Sequence, residues 1–322
     1  MKLGRRAFLY GCAATTAGLW LARRSHALEA NHGLGDARAW ALDSMPVEDG
    51  AALDLFALGD IGMNTPERAE VVSRMLLTRA EAKPALAALL GDNFYHSGIE
   101  STSDPRWLQD FELCFPEREL DVPFLAVLGN HDHEGNIRAQ IEYSKLSTRW
   151  TMPAQRYELE REIGPGGSRA AFFCLDTTPF RSGWNGGGEQ TEWLAQALRR
   201  SAAHWKIVIG HHPILSHGQH GGTPDVASKL AGLFERYGVQ LYLSGHDHDQ
   251  QLVRARTGWC QIVSGAGSAT RAFGRGPGTL FASSDPGFAW LRLTQDAALV
   301  QFLSGRAGPI GTYRIERSAL AG

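Results

Sequence analysis

An apolar run, a glycine and then a side chain that binds metals occur together five times in this sequence. LFALGD ends at Asp60, LAALLGD at Asp92, FLAVLGN at Asn130, KIVIGH at His211 and LYLSGH at His246, and a further histidine stands at 248. A single Gly-Asp after a strand is an ordinary turn. Five such units, with carboxylates and an amide first and imidazoles last, make a donor set suited to two adjacent metal ions. Each ligand type falls just past the carboxyl end of an apolar run, where open α/β sheets build their sites. The glycine is expected to let the backbone turn sharply so that the next side chain reaches inward.

The elements that must hold these residues follow from the pattern around them. Leu53–Leu58, Ala85–Leu90, Val122–Leu128, Ala170–Leu175, Lys206–Ile209 and Gln240–Leu243 read as buried strands. Pro66–Ala82 reads as a helix, with Thr65 as its cap and Pro66 in its first turn, and Glu189–Ala203 and Asp225–Tyr237 as amphipathic helices. From residue 250 the chain is all strand and turn, with candidates at Gln250–Arg256, Gln261–Val263, Phe288–Leu293, Leu299–Leu303 and Thr312–Glu316. Alternation followed by a β-rich end predicts an α/β protein with layered, mixed sheets. Two segments rich in Gly and Pro, Ser182–Gly188 and Arg271–Gly287, read either as plain connections or as the border of a site.

The pieces GDIG (59–62), GDNFYHSG (91–98), GNHDHEGNIRAQIEYS (129–144), GHHP (210–213) and GHDH (245–248) make the sequence resemble a calcineurin-like metallophosphoesterase. More narrowly it resembles the purple acid phosphatases of the small, mammalian tartrate-resistant type. The resemblance runs from about Leu53 to Phe302 and implies two mixed β-sheets packed face to face with helices on the outside. It implies that Asp60, Asp92, Tyr95 and His248 hold a first metal, and that Asp92, Asn130, His211 and His246 hold a second, so that Asp92 bridges. A tyrosine titrates near ~10 when free, and its binding as phenolate in acid calls for ferric iron at the first position. The second ion is ferrous iron, zinc or manganese. The implied activity is that of an acid phosphatase, hydrolysing small phosphomonoesters with a hydroxide activated by the two metals; no G-x-S-x-G nucleophile motif is present. His131 is expected to stabilise the phosphate and protonate the leaving alcohol, and His220 to be an auxiliary proton donor or phosphate contact. His96, His133, His212 and His217 are read as rim or outer residues. Asp132 and Asp247 read either as orienting neighbouring histidines or as solvated carboxylates. A phosphodiesterase on the same metals and a non-enzymatic phosphate-binding protein are the alternative readings.

Three positions depart from the mammalian pattern. Ile61 stands where a tryptophan is usual, Thr223-Pro224-Asp225 stands where a cysteine would pair, and the loop after Asp176 is short, which suggests an open site needing no proteolytic activation.

The rest of the 322 residues set limits. Residues 1–27 carry five of the 32 basic residues and none of the 34 acidic ones, so the remainder has a net charge of −7 and no basic block, a poor match to nucleic acid. Arg5-Arg6, an apolar run from Ala7 to Ala22 and the small-x-small site Ser25-His26-Ala27 read as a twin-arginine signal, implying the export machinery as a partner and a periplasmic or secreted product. That run of 16 residues is short against the ~20 of a membrane span, so no stable anchor is expected, an uncleaved anchor helix being the alternative. Residues 28–50 read as a connector with one short helix, 51–305 as the catalytic domain, and 306–322 as a C-terminal strand and tail. Without residues 1–27, Cys114, Cys174 and Cys260 allow at most one disulfide.

Overall fold

Residues 39–42, 52–181 and 187–317 are described by the computed structural model. The signal-like segment 1–27 and most of Ser182–Gly188 lie outside the described residues. The strands are β1 (Ala39–Leu42), β2 (Leu53–Leu58), β3 (Leu86–Leu89), β4 (Phe124–Ala126), β5 (Trp150–Thr151), β6 (Arg156–Glu162), β7 (Arg169–Leu175), β8 (Trp205–Ile209), β9 (Leu241–Ser244), β10 (Gln250–Arg254), β11 (Cys260–Ser264), β12 (Thr279–Ser283), β13 (Gly287–Leu293), β14 (Ala297–Ser304) and β15 (Gly308–Glu316). The helices are α1 (Pro66–Ala82), α2 (Ile137–Tyr143), α3 (Gly187–Arg200) and α4 (Pro224–Tyr237), with a π-helical turn at Trp107–Glu112.

The strands form two mixed sheets. The first runs β1-β15-β14-β13-β2-β3-β4-β5 and the second β12-β10-β11-β9-β8-β7-β6. In each, a parallel block carries the candidate ligands: β2, β3, β4 and β5 in the first, and β7, β8, β9 and β11 in the second. Period-2 alternation decides what each face covers. Ala170, Phe172 and Cys174 of β7 join Leu55, Ala57, Leu89 and Leu291 in one core between the sheets. Ala171, Phe173 and Leu175 point the other way, under Leu194 and Leu198 of α3 and Leu230 and Phe234 of α4. Helix α1 begins as its sequence suggests: the Thr65 side chain accepts from the Arg68 amide at 3.1 Å, Pro66 opens the first turn, and Lys83 closes the helix in a left-handed conformation. The sandwich with outer helices matches the expected fold class.

Several elements differ from expectation. Ala39–Leu42 lies in the stretch expected to be a connector with a short helix, yet it is a strand paired along β15, from Ala39 opposite Ile315 to Leu42 opposite Thr312. Its AWAL sequence has helical local propensity, and sheet pairing overrides it. The strand expected after residue 305 is present as β15, which pairs with β14 from Glu316 to Gly308 and so extends the first sheet. Strand β6 (RYELERE) is an edge strand in which exposed Glu158, Glu160 and Glu162 alternate with buried Tyr157 and half-buried Leu159 and Arg161, so it lacks an apolar run. Strand β12 sits inside the Gly/Pro-rich stretch 271–287, on the edge beyond β10.

Candidate metal centre

The five glycine-led units all end at one rim of the sandwich. Asp60, Asp92 and Asn130 follow β2, β3 and β4 of the first sheet, and His211 and His246 follow β8 and β9 of the second. The two rims are joined by backbone: the Gly59 amide donates to the Ser264 carbonyl at 2.7 Å and the Gly267 amide to the Gly59 carbonyl at 3.2 Å.

The turns are made differently from the expectation. Only Gly91 of the five glycines has a positive φ (+88°). The left-handed backbone belongs instead to three candidate ligands, Asp60 (φ 57°), Asp92 (φ 52°) and His246 (φ 71°), a conformation that non-glycine residues rarely adopt and that recurs at functional sites. The glycines supply room. A Cβ on Gly129 would lie 2.1 Å from Asp92 Oδ1, and one on Gly245 2.3 Å from Asp60 Oδ2.

The side chains converge in two groups. In the first, Tyr95 Oη stands 3.1 Å from Asp60 Oδ1, 2.7 Å from Asp92 Oδ2 and 3.3 Å from His248 Nε2, and His248 Nε2 lies 3.3 Å from Asp60 Oδ1. In the second, His211 Nε2 is 3.2 Å from Asn130 Oδ1, 3.3 Å from His246 Nδ1 and 3.5 Å from Asp92 Oδ2. Asp92 Oδ2 belongs to both. Donor atoms that share an ion at about 2.1 Å stand about 3 Å from one another, so both groups have the spacing of a coordination cage.

The surrounding hydrogen bonds turn the lone pairs inward. His211 Nδ1 donates to the Leu90 carbonyl at 2.8 Å, which leaves Nε2 with a bare lone pair facing the centre. The outer oxygens of both aspartates are occupied: Asp60 Oδ2 accepts from the His246 amide at 2.9 Å, and Asp92 Oδ1 from the His131 amide at 2.9 Å. Burial and the Asp60 and Asp92 carboxylates push the Tyr95 phenol far above its usual range. Burial, with His211 beside it, holds His246 down to about 2. Burial opposes a charge on His211, but the Asp92 and Asp60 carboxylates raise it overall. Two fully buried carboxylates against a neutral imidazole and a neutral phenol suit multivalent cations. The residues present therefore fit a pair of metal ions.

The remaining expected residues fall around this core. The His131 ring packs on Tyr95 at 4.5 Å, and its Nδ1 donates to the His96 carbonyl at 2.5 Å, so Nε2 is its free end. The His220 ring stacks on His246 at 4.5 Å, and burial and the Arg271 guanidinium lower its pKa. His96 is exposed. His133 Nε2 bonds the buried Asp176 at 2.8 Å. His212 is not at the rim but fully buried beside His211 and His246, with Nδ1 2.9 Å from Thr177 Oγ1. Asp132 and Asp247 are both fully buried and hold backbone, not histidine rings. Asp132 accepts from the amides of Gly129 (2.8 Å) and Asn93 (3.2 Å), clamping two ligand loops together. Asp247 accepts from the amides of His220 (2.7 Å) and Gly221 (3.1 Å) and from the Ser216 hydroxyl. Arg271 and Thr177, both in contact with site histidines, carry no sequence motif and were not expected there; only the Gly/Pro-rich surroundings of Arg271 hinted at a site border.

The Metallophos family, described as calcineurin-like phosphoesterase, matches residues 54–250. The chain belongs to the calcineurin-like phosphoesterase family. Within it, the chain is 33% identical over 262 residues to tartrate-resistant acid phosphatase type 5 of Oryctolagus cuniculus, covering 72% of this chain and 79% of that protein. It is 31% identical to purple acid phosphatase 4 of Arabidopsis thaliana, covering 69% and 70%. Among solved structures, GAP50, the anchor in the inner membrane complex of Plasmodium, superposes with a TM-score of 0.77 at 25% identity, over 84% of this chain and 90% of that one. No helix among the described residues of this phosphoesterase is long and apolar enough to cross a membrane.

Gly129→Ala tests the room the glycines provide. The new methyl displaces Asp92, and both ions are expected to bind at least ~10-fold more weakly. A calorimetric titration of the variant with the metal ions at wild-type affinity would refute this account of the glycine.

Proposed function

We propose that this phosphoesterase is a metal-dependent acid phosphatase that hydrolyses small phosphomonoesters. The observation that supports this most is the convergence of seven donor atoms in two groups joined at Asp92 Oδ2, in a chain related over most of its length to acid phosphatases. In this reading Asp60, Asp92, Tyr95 and His248 hold one ion, and Asp92, Asn130, His211 and His246 the other. Two ions so held supply Lewis acidity and an activated water to a phosphate ester.

The chain's own residues do the rest. His131 packs against Tyr95 with Nδ1 anchored on the His96 carbonyl, which leaves Nε2 to give a proton to the leaving alcohol. His220, on the other side of the centre, is a contact for the phosphate. Tyr95 selects the first ion. Its phenol is buried between two carboxylates and gives up its proton only to a strong Lewis acid, which favours ferric iron over zinc or magnesium. The partner ion is ferrous iron, zinc or manganese. The paired arginines at 5 and 6 support export by the twin-arginine route to the periplasm or beyond, a path that suits a protein loaded with metal before it leaves the cytoplasm.

Turnover of nitrophenyl phosphate by the metal-loaded protein is expected to exceed that of the bis-nitrophenyl diester and to vanish on chelation. A preference for the diester would overturn the monoesterase reading. His131→Ala is expected to keep both metals and lose ~10²-fold in turnover, with a smaller loss on substrates whose leaving group needs no proton. Loss of a metal would mean that His131 is a ligand. Wild type loaded with iron is expected to be pink to purple, from charge transfer between the Tyr95 phenolate and ferric iron, and Tyr95→Phe to be colourless. Colour surviving in that variant would remove Tyr95 from the ligand set.

A further inference from the structure

We propose that Arg271 is a substrate-binding residue: its guanidinium, seated against His220 at the rim of the centre, donates to the anionic oxygens of the phosphoryl group. The assignment rests on the phosphatase reading above and names a residue that reading does not use.

The position of Arg271 follows from strand register. Gly218 and Phe273 form an antiparallel pair, and the Gly274 amide donates to the His217 carbonyl at 2.5 Å. Partners in such a ribbon run in opposite directions, so the residue two after Gly218 faces the residue two before Phe273. These are His220 and Arg271, and Arg271 Nη1 does contact His220 Nε2. An arginine only donates, so His220 Nε2 is the acceptor in this pair. The positive group at this rim is therefore the guanidinium, and the His220 nitrogen that engages it is not holding a proton for a leaving group.

The pair is fixed from both sides. The Arg271 amide donates to the carbonyl of His248 at 2.8 Å, and the His220 amide to the buried Asp247 at 2.7 Å. The His220 ring in turn stacks on His246 at 4.5 Å, which puts the guanidinium one imidazole away from the second ion's ligand. Arginine has five N–H donors in a planar fork that matches phosphate geometry. His220 occupies one of them, and Arg271 remains partly open to solvent. A half-open cation tied to the backbone of a candidate ligand is preorganised for the oxygens of a phosphate that the centre would hold.

The test uses the full-length, metal-loaded protein with inorganic phosphate as the probe, in calorimetric titration and as a competitive inhibitor. Arg271→Ala is expected to weaken phosphate binding by ~10- to 100-fold and to raise KM similarly, with a smaller change in kcat and with metal content and Tm unchanged. Arg271→Lys is expected to recover part of the loss. Wild-type phosphate affinity in Arg271→Ala would overturn the assignment, and so would a loss of phosphate binding explained by lost metal. The titration needs no turnover. A wild type that binds phosphate yet hydrolyses no monoester would defeat the phosphatase reading and leave Arg271 to be judged on its own variant.

Discussion

The carboxylate of Asp92 is the constraint on which the rest of this structure depends. One oxygen is shared between two groups of donor atoms; the other accepts the amide of His131. Neither can move without disturbing residues from both sheets. A buried carboxylate within 3.1 Å of a phenol and close to a second carboxylate is unfavourable unless cations compensate it. The fold therefore has to force these groups together before any ion arrives. It does so with left-handed backbone at Asp60, Asp92 and His246, a strain of about 1–3 kcal/mol at each.

That strain is carried by what surrounds it. Asp132 ties the loop after β3 to the loop after β4 through the amides of Asn93 and Gly129, and Gln140 of α2 donates to it at 2.8 Å. Burial and the nearby Asp92 raise the pKa of Asp132 to about 6, and several donors are needed to keep it useful as an acceptor. Across the rim, Ser264 of β11 donates to the Ala57 carbonyl at 2.8 Å, and the Ser268 hydroxyl donates to the Asp60 carbonyl. The sheets are thus fastened at the end where the ligands emerge, and the apolar core between them supplies the rigid base.

Outside this base the centre is lined by side chains of a different kind. His131 packs tilted against Tyr95, and His220 stacks on His246, both candidate ligands. Asp247 sits between the candidate ligands His246 and His248 in sequence, yet its side-chain bonds go to the segment carrying His220. The same short turn therefore presents candidate ligands on one side and sets the rim on the other. A change in the rim loops can alter what binds without altering the metal cage.

The sequence by itself determined the five strand–glycine–donor units and the helix opened by Thr65 and Pro66. Each of these is written in a few consecutive residues: a buried strand is a short apolar run, and a ligand follows it directly. Tertiary structure alone decided the rest. β1, β6 and β12 are edge strands, each held by pairing with a single neighbour, β15, β7 and β10 respectively, and their local composition is charged, helical or glycine-rich. The glycines serve close approach more than turning, which depends on side chains that arrive from other loops. Asp132 and Asp247 serve as backbone clamps because the loops they join are far apart in sequence. Arg271 meets His220 only because an antiparallel ribbon sets residues 51 positions apart face to face, and register of that kind exists only once the chain has folded.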